Sequence, residues 1–75
     1  MQRSINGLLY DTQNAEIIHE DKLTERTLYM TNNGNFFMLF RNGEIVPRTE
    51  ESAKEYLGEK DVEKYIEVWG KPEDA

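Results

Sequence analysis

The chain has 75 residues, 37% of them hydrophobic, with a formal net charge of -6 and no cysteine. This length predicts one domain near the size at which a single core is only just sufficient, and it excludes a second domain. Disulfides and thiolate zinc sites cannot supplement that core, so oligomerisation is the remaining means of stabilisation. The acidic balance argues against direct binding to nucleic acid, whose phosphates require a basic surface.

The N-terminal sequence MQRSINGLLYDTQ lacks the continuous apolar region and the small-residue cleavage site of a signal peptide. No stretch approaches the roughly 20 apolar residues of a membrane span. We therefore expect a cytoplasmic protein without a membrane partner. A single domain is expected over residues 1–70, followed by a short acidic disordered tail over residues 71–75.

Two Asn-Gly pairs, Asn33-Gly34 and Asn42-Gly43, separate three apolar segments. Asn-Gly between such segments is a strong hairpin signal, because a type I′ turn needs positive φ at both central residues. The pairs predict an antiparallel meander with strands over residues 26–32, 35–41 and 44–48. Upstream, LLYDT and EIIHE flank Gln13-Asn14 and predict a looser hairpin, which could extend the sheet beside the first of these strands.

If both Asn-Gly turns are two-residue loops, the strand register follows by counting outward from each turn. One predicted face carries the bulkier side chains Tyr29, Phe36, Met38, Phe40, Ile45 and Pro47. The other predicted face carries Leu28, Met30, Phe37, Leu39 and Val46, with Arg48 at its margin. Pro47 falls at a non-hydrogen-bonded pair, so strand 44–48 is expected at the edge of the sheet.

After the meander, the apolar spacing changes from a period of 2 to one of 3.6. Thr49 is expected to cap a first helix that Gly58 ends, and Asp61 a second that ends at Gly70. The apolar stripe of the second helix comprises Val62, Tyr65, Ile66 and Trp69. The predicted fold is therefore α+β, an antiparallel β-meander of three to five strands followed by two short C-terminal α-helices packed on one face.

Two helices with one apolar stripe each can cover only one face of the sheet, and we expect them on the bulkier one. Two alternatives remain for the other face. Either the N-terminal hairpin or the 20–25 connector folds over it, or it is an interface with a partner or a second copy. The candidate interface residues are Leu28, Met30, Phe37, Leu39 and Val46.

A pattern of hairpin and cap residues extends over residues 8–57. It comprises Tyr10-Asp11-Thr12, Leu28-Tyr29, Thr31, Gly34, Phe36-Phe37, Ile45, Pro47, Thr49-Glu50-Glu51 and Ala53. In these residues the chain resembles a family of small uncharacterised bacterial proteins that often occur on phages, plasmids and integrative elements. The family pattern often has a glycine-rich insertion before the Ile-x-Pro strand, and polar residues in place of Met30 and Leu39. The resemblance implies no catalytic or binding residues.

Candidates for catalysis are few. His19 is the one histidine, and with Glu20 and Asp21 it could form a metal-binding cluster. Adjacent strand residues point to opposite faces, however, and no second histidine is present, so we interpret His19 as a solvated strand end. Glu63 and Glu67 are interpreted as a solvated helix face. We predict no catalytic, cofactor-binding or metal-binding residues, and a protein that is not an enzyme.

The C-terminal third is rich in acid, and its candidate acidic surface comprises Glu50, Glu51, Glu55, Glu59, Glu63 and Glu67. These carboxylates are either a solvated helical surface or an imitation of nucleic-acid phosphates. The second interpretation predicts an inhibitor of a nucleic-acid enzyme encoded by a mobile element, such as an anti-restriction or anti-CRISPR protein. The favoured prediction is a non-enzymatic interaction module that self-associates, as a homodimer or larger homo-oligomer, through the apolar sheet face.

Overall fold

The computed structural model describes residues 1–74, and within them six strands form two antiparallel sheets that precede two helices. The strands are β1 (Gln2–Ile5), β2 (Leu8–Asp11), β3 (Ala15–Asp21), β4 (Arg26–Thr31), β5 (Phe36–Leu39) and β6 (Ile45–Arg48). The helices are α1 (Glu50–Lys60) and α2 (Val62–Trp69), and a 3-10 turn (Thr12–Asn14) joins β2 to β3. The predicted α+β fold with a meander and two C-terminal helices is confirmed. Ala75, in the predicted tail, lies outside the described residues.

The larger sheet has the strand order β3-β4-β5-β6, so the predicted three-strand meander is present with one further strand beside β4. That further strand is the EIIHE segment, as predicted. The expected hairpin between LLYDT and EIIHE was wrong, because LLYDT forms β2, which pairs with β1 in a separate sheet. Pro47 lies in β6, an edge strand, as its missing N–H predicts.

Both Asn-Gly turns of the meander are three-residue loops rather than the two-residue loops that we predicted. In the first, the Thr31 amide donates to the Asn35 carbonyl at 2.8 Å and the Gly34 amide donates to the Thr31 carbonyl at 2.9 Å. Gly34 has a φ of 82°, whereas Asn33 is not among the residues with positive φ. This is a type I turn followed by a left-handed glycine, and the loop at residues 41–43 repeats it.

The additional loop residue shifts the register by one position. Phe37 pairs with Tyr29 and with Pro47, whereas the prediction placed Phe37 opposite Met30. Because the side-chain period is 2, the shift regroups the residues of neighbouring strands, and the predicted faces were wrong. The helix-side face carries Leu28, Met30, Phe36, Met38 and Val46. The hairpin-side face carries Tyr29, Phe37, Leu39, Ile45 and Pro47.

The two helices have the predicted N-caps. The Thr49 side chain accepts a hydrogen bond from the Ser52 amide, and the Asp61 side chain accepts one from the Lys64 amide, both at 3.1 Å. The prediction that Gly58 ends α1 was wrong. The helix continues to Lys60, because Glu59 and Lys60 favour helix and the next amide still donates to the Leu57 carbonyl.

The helices cover the helix-side face. Ala53 and Leu57 of α1 are buried, with exposed fractions of 1% and 0%, against Leu28, Phe36 and Met38. From α2, Tyr65, Val68 and Trp69 pack against the same core. Val62 and Ile66 were expected in that stripe but face outward, 50% and 40% exposed. Neither helix of the described chain is long and apolar enough to cross a membrane.

The β1–β2 hairpin covers the hairpin-side face. The expected N-terminal hairpin paired LLYDT with EIIHE, whereas the hairpin on this face pairs Leu8–Asp11 with Gln2–Ile5. Its turn is Asn6-Gly7, with φ values of 51° and 79°, the type I′ geometry that we predicted for the other two Asn-Gly pairs. Tyr10 of β2 meets the Phe37 ring edge-on at 5.6 Å, and Tyr29 stacks on Phe37 at 4.9 Å. Both faces of the meander are therefore covered by the chain itself.

Candidate functional site

The five residues predicted to form one interface are divided between the two faces. Leu28, Met30 and Val46 lie on the helix-side face, whereas Phe37 and Leu39 lie on the hairpin-side face. Leu28 and Phe37 have exposed fractions of 0%. The grouping of these residues on one surface was wrong because the register was shifted by one residue. Self-association itself stays a prediction, and it requires a different surface.

The interpretation of His19 as a solvated strand end was also wrong. Its side chain is 17% exposed, and its Nδ1 lies 3.2 Å from an Asp61 carboxylate oxygen. The ring also meets Tyr56 edge-on at a centroid distance of 5.7 Å. Within residues 1–74, His19, Glu20 and Asp21 do not form a group that could hold a metal ion. His19 thus joins β3 to the junction between α1 and α2, over 42 residues of sequence.

Asp61 is the charged centre of this junction. The hydrogen bond from the Lys64 backbone amide, and then the one with His19, hold the pKa of Asp61 below its ordinary value. Because that pKa is lower in the folded than in the unfolded chain, the folded state binds fewer protons near pH 4. The contribution of Asp61 to stability is therefore present above that pH, and it is lost as the pH falls through the folded-state pKa.

We expect Asp61→Ala to lower the free energy of unfolding by about 1 kcal/mol at pH 7, because it removes the N-cap of α2. The difference from the unsubstituted chain should shrink below about pH 4 as Asp61 becomes protonated. Urea denaturation at several pH values between pH 2 and pH 7 measures both effects. Glu63→Ala, in the exposed first turn of α2, is the matched control. A difference that stays constant down to pH 2 would contradict the role of the Asp61 charge.

A groove of about 260 Å³ opens between α1 and the helix-side face of the sheet. We call it the arginine groove, lined by Arg26, Leu28, Met38, Arg48, Ser52, Ala53, Glu55, Tyr56 and Glu59. Its lining is apolar where Leu28, Met38 and Ala53 lie, and these three side chains are buried. The sheet contributes its two arginines, and α1 contributes its two glutamates. The groove therefore combines an apolar floor with charges of both signs.

The two arginines are held over one aromatic ring. The guanidinium carbon of Arg26 lies 5.1 Å from the Phe40 ring centroid, and that of Arg48 lies 5.8 Å from it. Cation–π contacts of this kind contribute about 0.5–1 kcal/mol at exposed sites. Neither guanidinium has a carboxylate within ion-pair distance in the described chain, whereas Arg41 pairs with Glu25 at 2.8 Å. Within residues 1–74, no carboxylate occupies the N–H groups of Arg26 and Arg48.

Tyr56 adds a third polar group, its hydroxyl, to the two guanidiniums of the groove lining. Its hydroxyl is buried and has no hydrogen-bond partner among the described residues. Burial raises the pKa of Tyr56, with a smaller contribution from the Asp21 carboxylate, and Arg26 opposes the shift. A buried hydroxyl without a partner costs about 1–3 kcal/mol, which most proteins avoid.

The end of the sheet beside the groove also presents an exposed apolar side chain. Leu23 lies in the β3–β4 turn and is 97% exposed. The Asp21 carboxylate holds this turn by accepting hydrogen bonds from the amides of Leu23 and Thr24, at 3.0 and 3.3 Å. The turn is followed directly by Arg26, which lines the arginine groove. Leu23 and Arg26, a residue of the groove lining, are therefore three positions apart in the chain.

All six residues of the candidate acidic surface are exposed, and they do not form one cluster of free carboxylates. Glu50 lies 4.0 Å from Lys54, and Glu67 pairs with Lys64 at 3.1 Å. Glu55 and Glu59 line the arginine groove. Glu51 and Glu63 are exposed on α1 and α2 and make no ion pair within residues 1–74.

Comparison of the chain with protein-family models, with curated proteins and with solved structures finds no match to any of them. Membership of the family of mobile-element proteins therefore stays a prediction, carried by the residues quoted above.

Proposed function

We propose that the protein is a small non-enzymatic interaction module of the cytoplasm, which binds a protein partner in the arginine groove. One observation carries the proposal. In a chain with a net charge of -6, Arg26 and Arg48 lie over the same phenylalanine and make no ion pair within the described residues. A guanidinium presents a rigid fork of donors that fits a carboxylate with two parallel hydrogen bonds, so the pair suits a carboxylate of the partner.

The groove has the layout of a protein interface. Three apolar side chains contribute to its floor, and its charged rim would set the orientation of a partner. Contact with Phe40 restricts both arginines before binding, which reduces the entropy lost on association. Glu55 and Glu59 on the α1 side would repel a polyanion such as nucleic acid. The partner surface should instead carry charges of both signs around an apolar group.

A titration with a short glutamate-containing peptide tests the proposal. We expect weak binding, with a Kd on the order of several millimolar, detected by NMR as shifts of the Arg26 and Arg48 side-chain N–H signals. Arg48→Gln should weaken binding about threefold, because one exposed ion pair contributes about 0.2–1 kcal/mol. Arg41→Gln is the matched control, since Arg41 is exposed and already paired with Glu25. Equal affinities of the two variants, or shifts that avoid the groove, would reject the proposed site.

The second candidate function is the acidic inhibitor of a nucleic-acid enzyme. It is supported by the exposure of all six glutamates on the two helices, four of which make no ion pair within the described residues. A lysine-rich peptide of the same length is the probe for it in the same titration. If the protein is an acidic inhibitor, the lysine peptide should bind more tightly than the glutamate peptide, with NMR shifts centred on Glu51 and Glu63. If the protein is an interaction module, the glutamate peptide should cause NMR shifts at Arg26 and Arg48.

A further inference from the structure

We infer that the partner bound in the arginine groove is a second copy of this chain. The inference deepens the proposed function and rests on it. A symmetric dimer uses the same surface on both subunits, so that surface must be complementary to itself. Two features of the groove and of the adjoining β3–β4 turn meet this requirement, one of charge and one of shape.

The first feature is the placement of charge. Arg26 and Arg48 come from the strands on one side of the groove, and Glu55 and Glu59 come from α1 on the other. Within one chain the two sets make no ion pair. A two-fold axis that runs along the groove, between its two sides, places the arginines of each copy opposite the glutamates of the other. The patch has no net charge of its own, so two chains of net charge -6 can approach there with little local repulsion.

The second feature is the pairing of an apolar projection with an apolar floor. Leu23 is 97% exposed, and it belongs to a turn that Asp21 holds in place. The groove lining includes Arg26, three residues further along the chain, and the buried side chains of Leu28 and Met38. In the proposed dimer, Leu23 of each copy lies against the partner at the end of the groove. This contact removes from water the large apolar side chain with the highest exposed fraction among the described residues, and it gives the interface an apolar anchor.

Sedimentation equilibrium over about a thousandfold range of concentration tests the inference, with two complementary variants. One variant carries Arg26→Glu and Arg48→Glu, so its groove is entirely acidic. The other carries Glu55→Arg and Glu59→Arg, so its groove is entirely basic. We expect the unsubstituted chain to form a dimer that weakens as salt is added. Each variant alone should be monomeric because like charges then face each other, and an equimolar mixture of the two should form a heterodimer.

Leu23→Asp tests the apolar anchor without disturbing the fold, since the Leu23 side chain is almost fully exposed. We expect a dimer about tenfold to hundredfold weaker, from the loss of one buried leucine side chain. Leu9→Asp is the matched control. Leu9 is also an exposed leucine, at 59%, but it lies on the N-terminal hairpin. Its substitution should leave the dimer unchanged, and circular dichroism verifies that every variant is folded.

The outcomes separate this inference from the proposed function. If the chain stays monomeric at every concentration but binds the glutamate peptide in its groove, the second copy is rejected as the partner. The proposed function as an interaction module is then retained. A dimer that persists in both charge variants and in Leu23→Asp uses another surface, and it also overturns the inference. If the peptide additionally fails to reach the groove, the proposed function is rejected with it. Heterodimer formation by variants that are each monomeric supports both.

Discussion

Replacement of Phe37 by aspartate is expected to unfold the protein at every concentration. Phe37 has an exposed fraction of 0%, with Tyr29 stacked on its ring and Tyr10 against its edge. An aspartate there either leaves a charge without a partner in an apolar core or takes up a proton, and the aromatic contacts are lost as well. The cost of several kcal/mol is comparable to the whole stability of a domain of this size, which is about 5 kcal/mol. Far-ultraviolet circular dichroism at low and high protein concentration measures the result.

If the register that we predicted from the sequence were correct, Phe37→Asp would have a different result. There, Phe37 lies on an open face, and Phe37→Asp dissociates an oligomer into folded monomers. Leu9→Asp is the control, because Leu9 is 59% exposed and should change the free energy of unfolding by less than about 0.5 kcal/mol. A folded, monomeric Phe37→Asp variant would show that the β1–β2 hairpin does not cover this face in solution.

The strands and helix starts follow from local sequence, which is why they could be predicted. Asn33-Gly34 and Asn42-Gly43 separate the strands of the meander, and each is a turn in the structure. Thr49 and Asp61 each accept a hydrogen bond from the amide three residues later. Signals of this kind involve neighbours in the chain, so they depend little on the rest of the fold.

The register is a finer property, and one residue of loop length decides it. An Asn-Gly pair fits both a two-residue type I′ loop and a three-residue loop that ends with a left-handed glycine. Asn6-Gly7 adopts the first geometry, whereas the two pairs of the meander adopt the second. In the three-residue loops only the glycine has positive φ. The presence of asparagine before it therefore does not distinguish the two loop types. This difference in loop length regroups the residues of the two sheet faces, and it divides the five predicted interface residues between them.

The arginine groove was not predicted because its members are brought together by the register and by α1. Arg26 and Arg48 are 22 positions apart in sequence, and they converge on Phe40 because even-numbered residues of β4, β5 and β6 share the helix-side face. The prediction had placed Arg48 on the face opposite Phe40. With three-residue loops, the same counting would have placed Arg26 opposite Phe40 and Arg48 opposite Phe36, so that both arginines share the face of Phe40. The contact between His19 and Asp61 has no comparable local signal, since it spans 42 residues.

The second substitution with a large expected effect lies on the other side of the sheet. Leu57→Ala should lower the free energy of unfolding by about 3 kcal/mol, because Leu57 is 0% exposed and packs in the core with Leu28 and Met38. The loss combines the transfer of the leucine atoms with the cavity that they leave. Urea denaturation measures it, and the slope of the transition shows whether the variant still unfolds in one step.

Val62→Ala is the matched control for Leu57→Ala, since Val62 is also an apolar helical residue but is 50% exposed. Its effect should be within about 0.5 kcal/mol, because little packing is lost and alanine favours helix. Equal effects of the two substitutions would mean that α1 does not bury its inner side on the sheet. Large effects at both Leu57 and Phe37 would establish that each face of the meander is internal. The partner that we propose would then bind in the arginine groove, between α1 and the helix-side face.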